Sequence, residues 1–205
     1  MLLFLFSLWV SFAQSSLVLR EDWKDDPSAS RPVASGHLSN PNLQLGLYGP
    51  GKTGIQYVHP PNQPTYISLS GCGARCAFTL RDRNNYLDLT APASRIRWRT
   101  IQDGFYEFRI VVKLADGAWL ISDHNQGGLL DWVDEAFNIP DYRWQKMNID
   151  TLTEGLSVER PDFRKVDEIG CSCHTADGGA CAITTPAGEL RLDWIEVYGA
   201  KVPRT

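Results

Sequence analysis

The chain has 205 residues, of which 43% are hydrophobic, and its formal net charge is −4. The hydrophobic content is enough for a packed core, which excludes a disordered chain, and the mildly acidic charge argues against a nucleic-acid-binding surface. Without an apolar leader, about 190 residues remain, which suits one domain because β-sandwiches commonly reach 200–250 residues as a single unit.

The first 15 residues, MLLFLFSLWVSFAQS, form an apolar run that ends in small residues. The run is too short to span a bilayer comfortably, and it predicts a secretory signal peptide over residues 1–15. We therefore expect one domain over residues 16–205 in a secreted, periplasmic or extracellular protein, with no membrane span.

Apolar and polar residues alternate in many short segments, as in NLQLGLY at 42–48. Such segments, separated by Gly-rich and Pro-rich loops, predict about ten strands and an all-β fold with little or no helix. The architecture expected is a single-domain β-sandwich of the jelly-roll kind. Only Leu129 to Ala136 could form a helical turn.

The clearest pattern lies between residues 95 and 122. RIRWRT at 95–100 places three arginines on one strand face, and FYEFRIVVKL at 105–114 follows after a Gln-Asp-Gly turn. A second turn at 115–117 leads into Trp119 to Ser122. These segments predict a three-stranded antiparallel meander with one apolar face and one charged face.

The charged face of this meander is the candidate ligand-binding surface. Its predicted polar contacts and its stacking residue are Arg97, Arg99, Arg109, Lys113 and Trp119. Guanidinium groups bind carboxylates and sulfates bidentately, so an acidic or sulfated polysaccharide is a coherent ligand. The alternative is an ion-pair ladder on a solvated face, because adjacent like charges need counter-charges.

Five cysteines suggest disulfides in a secreted chain. Cys72 and Cys76 frame a short loop that could close on itself. Cys171, Cys173 and Cys181 share a second loop, in which two could pair and one is left over or joins the first loop. We expect Cys72, Cys76, Cys173 and Cys181 in disulfides; a metal site in the CxCH segment is the alternative.

The segment ELRLDWIEVYG at 189–199 reads as a strand with protein on both sides. Strict alternation places Trp194 and Glu196 on one face, and Asp193, Ile195 and Val197 on the other. A carboxylate on a largely apolar face needs a metal, an arginine or backbone N–H groups as its partner.

Three stretches of the back third, RWQKMNI at 143–149, VDEIG at 166–170 and LDWIEV at 192–197, resemble the closing strands of galactose-binding-like jelly rolls. That group includes many carbohydrate-binding modules. In several of them an Asp of the last strand and an acidic residue of the first strand hold a structural calcium. The resemblance implies such a site at Glu21 or Asp22 with Asp193. A weaker resemblance is to concanavalin A-like sandwiches of the 3-keto-glycoside hydrolase type.

Catalytic signatures are sparse. Glycoside hydrolysis uses two carboxyl groups about 5–9 Å apart, and Asp116 and Asp123, which flank Trp119, are the candidate pair if the protein is an enzyme. Asp116 followed by Gly117 also suits a tight hairpin turn. We expect a non-catalytic module whose partner is a polysaccharide or other glycan, with structural calcium as the only cofactor. The alternatives are a glycan-processing hydrolase or lyase and a structural or adhesive surface protein.

Overall fold

The computed structural model describes residues 15–27, 32–102, 106–123, 129–175 and 190–204. The predicted signal peptide lies outside them, apart from Ser15. The strands are β1 (Ser16–Glu21), β2 (Leu43–Tyr48), β3 (Gln56–Val58), β4 (Tyr66–Ser68), β5 (Cys76–Asp82), β6 (Asn85–Asp88), β7 (Arg95–Gln102), β8 (Tyr106–Leu114), β9 (Trp119–Ser122), β10 (Leu129–Asn138), β11 (Trp144–Asn148), β12 (Thr153–Val158), β13 (Val166–Thr175) and β14 (Leu190–Pro203). Short 3-10 helices lie at Ser35–His37, Lys52–Gly54, Ile139–Asp141 and Phe163–Lys165.

The strands form two antiparallel sheets. Sheet 1 has the order β3-β4-β14-β7-β10, with β1 beside the second half of β14. Sheet 2 has the order β2-β5-β13-β8-β9-β11-β12. Strand β6 pairs with both β13 and the end of β14, so it joins the sheets. The predicted all-β sandwich is confirmed, and none of the described helices is long and apolar enough to cross a membrane.

The core lies between the two sheets and follows the alternation in the sequence. In β7, Ile96 and Trp98 are fully buried while Arg95, Arg97 and Arg99 point outward and stay partly exposed. The Trp98 ring of sheet 1 meets Phe108 of sheet 2 at a centroid distance of 5.7 Å. Aromatic contacts of this kind fill the space between facing sheets and fix which face of each strand is buried.

The predicted meander is wrong in its first pairing. Strand β7 lies between β10 and β14, whereas β8 lies between β13 and β9. The chain therefore crosses from sheet 1 to sheet 2 between β7 and β8, and only β8 and β9 form the expected hairpin. The physical reason is that both strands have a strongly apolar face, and each buries it best against the other across the core.

Residues Leu129 to Ala136 form part of strand β10 and not a helical turn. The strand pairs with β7 from Val133 to Asn138, and a register shift separates this part from the pair Leu129 and Gln102. Phe137 packs on Trp98 at 5.0 Å, so the strand places its inward aromatic residue in the core. The pairing with β7 and the packing of Phe137 in the core outweigh the weak local preference of this segment for a helical turn.

The first and last strands pair, and β14 contains a bulge. Glu21 lies opposite Ile195, as the resemblance implied for neighbouring terminal strands. The register of β14 against β7 shifts between Leu192 and Trp194. A bulge inserts one extra residue and reverses the alternation beyond it. The predicted separation of Trp194 and Glu196 from Ile195 and Val197 holds, and Ile195 and Val197 are fully buried in the core. The predicted grouping of Asp193 with Ile195 and Val197 is wrong, because Asp193 pairs with Arg99 on the outer face.

The predicted disulfide between Cys72 and Cys76 is confirmed. Cys173 is also disulfide-bonded, and Cys181, its predicted partner, lies outside the described residues. Cys171 is a free, buried thiol, and burial raises its pKa well above the usual range. Cys171 belongs to the core cluster, as do the disulfide-bonded Cys76 and Cys173.

Acid should destabilise the fold through two buried carboxylates. Burial alone would raise the pKa of Asp82 and Asp167, but Lys201 and Asn84 beside Asp82, and Arg81 and Arg204 beside Asp167, outweigh it and lower both pKa values. A lowered native pKa adds stability that is present above the unfolded pKa of about 3.9 and is lost as the pH falls through the native pKa.

We therefore expect the urea midpoint to be steady from pH 7 to pH 5 and to fall below about pH 4. The Asp82→Asn variant should show a smaller fall over the same range. An equal fall in the variant and the wild type would contradict this assignment.

Candidate functional site

Three of the predicted ligand-binding residues share the outer face of sheet 2. Lys113 on β8 lies directly opposite Trp119 on β9, and its ammonium group is 5.4 Å from the centroid of the Trp119 ring. Arg109 lies farther along β8, where it donates to the carbonyl of Ser122 at 2.7 Å and pairs with Glu154 of β12. Arg109 thus links strands β8, β9 and β12, whereas Lys113 and Trp119 lie side by side and partly exposed on the outer face.

Tyr48 completes an aromatic pair with Trp119. The two ring centroids are 4.8 Å apart and the rings meet edge to face. Tyr48 belongs to β2, which lies four strands away from β9, a distance of about 19 Å at the usual strand spacing. The two rings therefore lean toward each other across the outer face. A Cβ atom on Gly46 would lie 2.6 Å from the Tyr48 ring, so the absence of a side chain there makes room for it.

Glu168 holds Tyr48 and Lys113 in place through hydrogen bonds. Its Oε2 accepts hydrogen bonds from the hydroxyls of Tyr48 at 2.7 Å and Thr79 at 2.6 Å, and its Oε1 accepts one from Lys113 at 3.0 Å. Burial and the contact with Glu168 raise the pKa of Tyr48 above its usual range. Glu168 is buried and its acceptors are in use, so it orients Tyr48 and Lys113 and does not itself face a ligand.

The middle of the same face is concave and filled. Leu152, in the turn between β11 and β12, is fully buried with Ala77, Val111, Ile121 and Met147. Ala77 is on β5, four strands from β11, so the sheet must curl for Leu152 to reach it. Arg75 donates to the carbonyl of Leu152 at 3.1 Å and holds the turn in place. The open part of the face is therefore the end that carries Trp119 and Lys113.

A pocket of about 430 Å³ adjoins this open end. It begins one residue beyond Lys113 and is lined by Leu114, Ala115, Asp116, Asp162, Arg164 and Lys165. Asp162 and Arg164 pair at 2.6 Å, and Arg164 lowers the pKa of Asp162 to about 2. Lys165 contacts no carboxylate in the described part of the chain; its ammonium group lies 5.9 Å from the Tyr86 ring. The volume lies within the usual range of small-molecule sites.

Arg97 and Arg99 are not part of this surface. They lie on the outer face of sheet 1, where Arg97 pairs with Glu196 at 3.1 Å and Arg99 with Asp193 at 3.2 Å. The predicted single stripe of five residues is therefore divided between the two sides of the sandwich. The error follows from the mistaken pairing of β7 with β8.

The structure does not bring Asp116 and Asp123 together. They lie beyond opposite ends of β9, whose four residues alone span about 10 Å. The Asp116 side chain accepts the N–H of Ala118 at 2.9 Å, and Asp123 accepts the N–H of Arg143 at 3.0 Å. Both accept backbone N–H groups of turns or loops here, and their catalytic use stays a prediction.

The three carboxylates of the predicted calcium site have other partners. Glu21 accepts three backbone N–H groups, from Trp23, Ser39 and Asn40, at 2.7–3.1 Å. Asp22 pairs with Arg20, and Asp193 pairs with Arg99. Within the described ranges no group of three or more potential metal ligands is found. Calcium binding by Glu21, Asp22 and Asp193 stays a prediction.

Several solved structures are similar to this chain. One is a family 11 carbohydrate-binding module from Clostridium thermocellum in complex with a β-1,3-1,4-mixed-linked tetrasaccharide, at 12% identity over 89% of this chain and 98% of that chain, with a TM-score of 0.44. Another is the family 11 module of the cellulase Lic26A-Cel5E from the same organism, at 14% identity over 88% and 95%, also with a TM-score of 0.44.

A third similar structure is a GlcNAcα1-4Gal-releasing endo-β-galactosidase from Clostridium perfringens, at 10% identity over 92% of this chain and 65% of that chain, with a TM-score of 0.41. No family model matches the chain, and no curated protein matches it.

Sequence reasoning missed Tyr48 and Glu168. Tyr48 looked like the polar-side end of a half-buried strand, and Glu168 stood in a short strand with no visible partner. Gly46, two residues before Tyr48 on the same face, was the available signal, because a glycine in a strand often marks a close approach by another group. The contact between β2 and β9 depends on sheet curvature, which a local pattern does not carry.

Proposed function

We propose that the protein binds carbohydrate without catalysis, through Trp119, Tyr48 and Lys113 on the outer face of sheet 2. The observation that carries this proposal is the half-buried Trp119 ring, held between Tyr48 and Lys113 beside a polar pocket. A fixed aromatic ring offers an apolar surface to one face of a sugar, and neighbouring charged groups can bond its hydroxyls. The rigid setting reduces the ordering that binding would require.

The pocket favours a glycan with an acidic substituent. Lys113 is already neutralised by Glu168 and Asp167, whereas Lys165 contacts no carboxylate in the described residues. A carboxylate or sulfate group in the pocket would gain Lys165 as a charge-assisted donor, whereas Arg164 is paired with Asp162. We therefore propose an acidic or sulfated polysaccharide, bound with a sugar ring on Trp119 and its anionic group beside Lys165.

Substitution of Trp119 tests whether its ring is the surface on which a sugar stacks. We expect Trp119→Ala to weaken binding at least about tenfold, which corresponds to about 1.4 kcal/mol, while Trp119→Phe keeps part of the affinity because a flat ring remains. Affinity electrophoresis in gels that contain mixed-linked β-glucan, a neutral galactan or a sulfated galactan measures the effect. Equal migration of Trp119→Ala and wild type in every gel that retards the wild type would refute the site.

Two lysine variants of equal charge change separate the preference for an acidic glycan from the stacking on Trp119. Lys165→Ala should reduce retardation in the sulfated gel but not in a neutral one, and Lys146→Ala, an exposed lysine on β11, should change neither. Stronger retardation by the neutral galactan than by the sulfated one would remove the acidic preference and keep the proposal for Trp119.

A further inference from the structure

The bulge in β14 gives the opposite side of the sandwich a surface of its own. Beyond the bulge, Trp194, Glu196 and Tyr198 point outward in a row along the strand. Each lies directly opposite an arginine of β7: Trp194 opposite Arg99, Glu196 opposite Arg97 and Tyr198 opposite Arg95. We call these three outward residues and their arginines the β14 ladder. Trp194 and Tyr198 are about 13 Å apart along the strand, a length that fits a short oligosaccharide.

Guanidinium groups and aromatic rings alternate in the β14 ladder. Arg20 and Arg97 lie 5.2 and 5.4 Å from the centroid of Trp194, and Arg95 lies 3.9 Å from that of Tyr198. Cation–π contacts at these distances fix the arginines in place. Both rings are half-buried, and Arg95 lies over one face of Tyr198.

The charges of the ladder leave one cation without a counter-charge. Glu196 accepts hydrogen bonds from Arg20, from Arg97 at 3.1 Å and from the hydroxyl of Tyr198 at 3.0 Å. Arg95 donates to the carbonyl of Ala93 at 3.2 Å, and it contacts no carboxylate in the described ranges. An anionic group on a ligand would therefore find Arg95 already positioned by Tyr198, next to an aromatic ring.

We propose that the β14 ladder is a second binding surface for an acidic polysaccharide, so that one molecule bridges two glycan chains. This inference rests on the proposed function, because it assumes the same class of ligand. The ladder lies on the outer face of sheet 1, and Trp119 lies on the outer face of sheet 2. The two surfaces face away from each other, which prevents one stretch of chain from filling both and allows cross-linking.

Light scattering with a soluble sulfated galactan tests the bridge. Wild type should raise the scattering at intermediate ratios of protein to polysaccharide. Trp194→Ala/Tyr198→Ala and, separately, Arg95→Ala should still be retarded by affinity electrophoresis but should leave the scattering at the level of the polysaccharide alone. Trp119→Ala should also lose the scattering, because it keeps only the ladder.

The outcomes for the two surfaces are distinct. Full scattering by both ladder variants, or no scattering from a wild type that binds the galactan, would overturn the second surface and leave the Trp119 site intact. Equal binding by Trp119→Ala and wild type, with binding lost in Arg95→Ala, would overturn the proposed function and keep the ladder. Arg95→Ala removes a partly exposed side chain, so it reports on the ladder even if the double variant fails to fold.

Discussion

Replacement of Glu21 by alanine should lower the free energy of unfolding by about 3 kcal/mol or more. The residue is fully buried, and its carboxylate accepts the backbone N–H groups of Trp23, Ser39 and Asn40. Alanine would leave one buried and two part-buried backbone donors without their acceptor, and an unsatisfied buried donor costs about 1–3 kcal/mol. Urea denaturation followed by tryptophan fluorescence measures the loss.

The reason for so large an effect is the place of Glu21 in the fold. It ends β1, and the chain then turns sharply at Trp23, whose φ of 55° lies in the left-handed region. The Trp23 indole N–H donates to the carbonyl of Leu192 at 3.2 Å. Glu21 therefore holds this turn and the 38–40 loop against the first and last strands at once.

Asp22→Ala is the matched control for Glu21. Its carboxylate is half exposed and, among the described residues, pairs with Arg20 alone, so its loss should change the unfolding free energy by about 0–1 kcal/mol. Glu21→Gln should fall between the two, because its amide keeps one acceptor oxygen. A loss for Glu21→Ala as small as that for Asp22→Ala would contradict the assigned role.

Replacement of Trp98 by alanine should cost about 3–5 kcal/mol. The side chain is fully buried and packs on Phe108 at 5.7 Å and on Phe137 at 5.0 Å. Its removal leaves a cavity between the two sheets that the surrounding strands cannot close. For a chain of this size we expect the melting temperature to fall by about 10 °C, measured by calorimetry.

Two variants calibrate the Trp98 result. Trp98→Phe should cost less than the alanine variant, because a ring still fills part of the space. Leu156→Ala removes a side chain that is 82% exposed and should stay within about 0.5 kcal/mol of wild type. A Trp98→Ala melting temperature equal to that of Leu156→Ala would show that this part of the core is misassigned.

The strands and their buried faces were largely predictable, and the partners were not. In β7 the alternation of Ile96 and Trp98 with arginines marks the inward face in any arrangement. The same alternation fits a hairpin with β8 and a sandwich in which β8 faces β7, because both bury Trp98. Which occurs depends on the flanking strands β10 and β14, which lie about 30 and 90 residues away in sequence.

The last strand shows why the candidate site was only partly predictable. One extra residue near Asp193 places Trp194 and Glu196 on the outer face, whereas strict alternation puts them on the same face as the buried Leu190 and Leu192. A bulge leaves no clear mark in the sequence. Asp193 was expected to need a partner, and it has Arg99; burial raises the pKa of Asp193 although Arg99 opposes this. Strand β14, which closes the fold, therefore also presents outward side chains that could bind a ligand.

Chemical shifts of the tryptophan indole N–H groups, followed as a glycan is added, test the central claim most directly. The chain has seven tryptophans, and Trp119→Phe assigns the signal of interest. With a sulfated galactan oligosaccharide we expect the Trp119 signal to move and to saturate, while those of the buried Trp98 and Trp144 stay in place. Saturable binding that leaves the Trp119 signal unmoved would contradict the account.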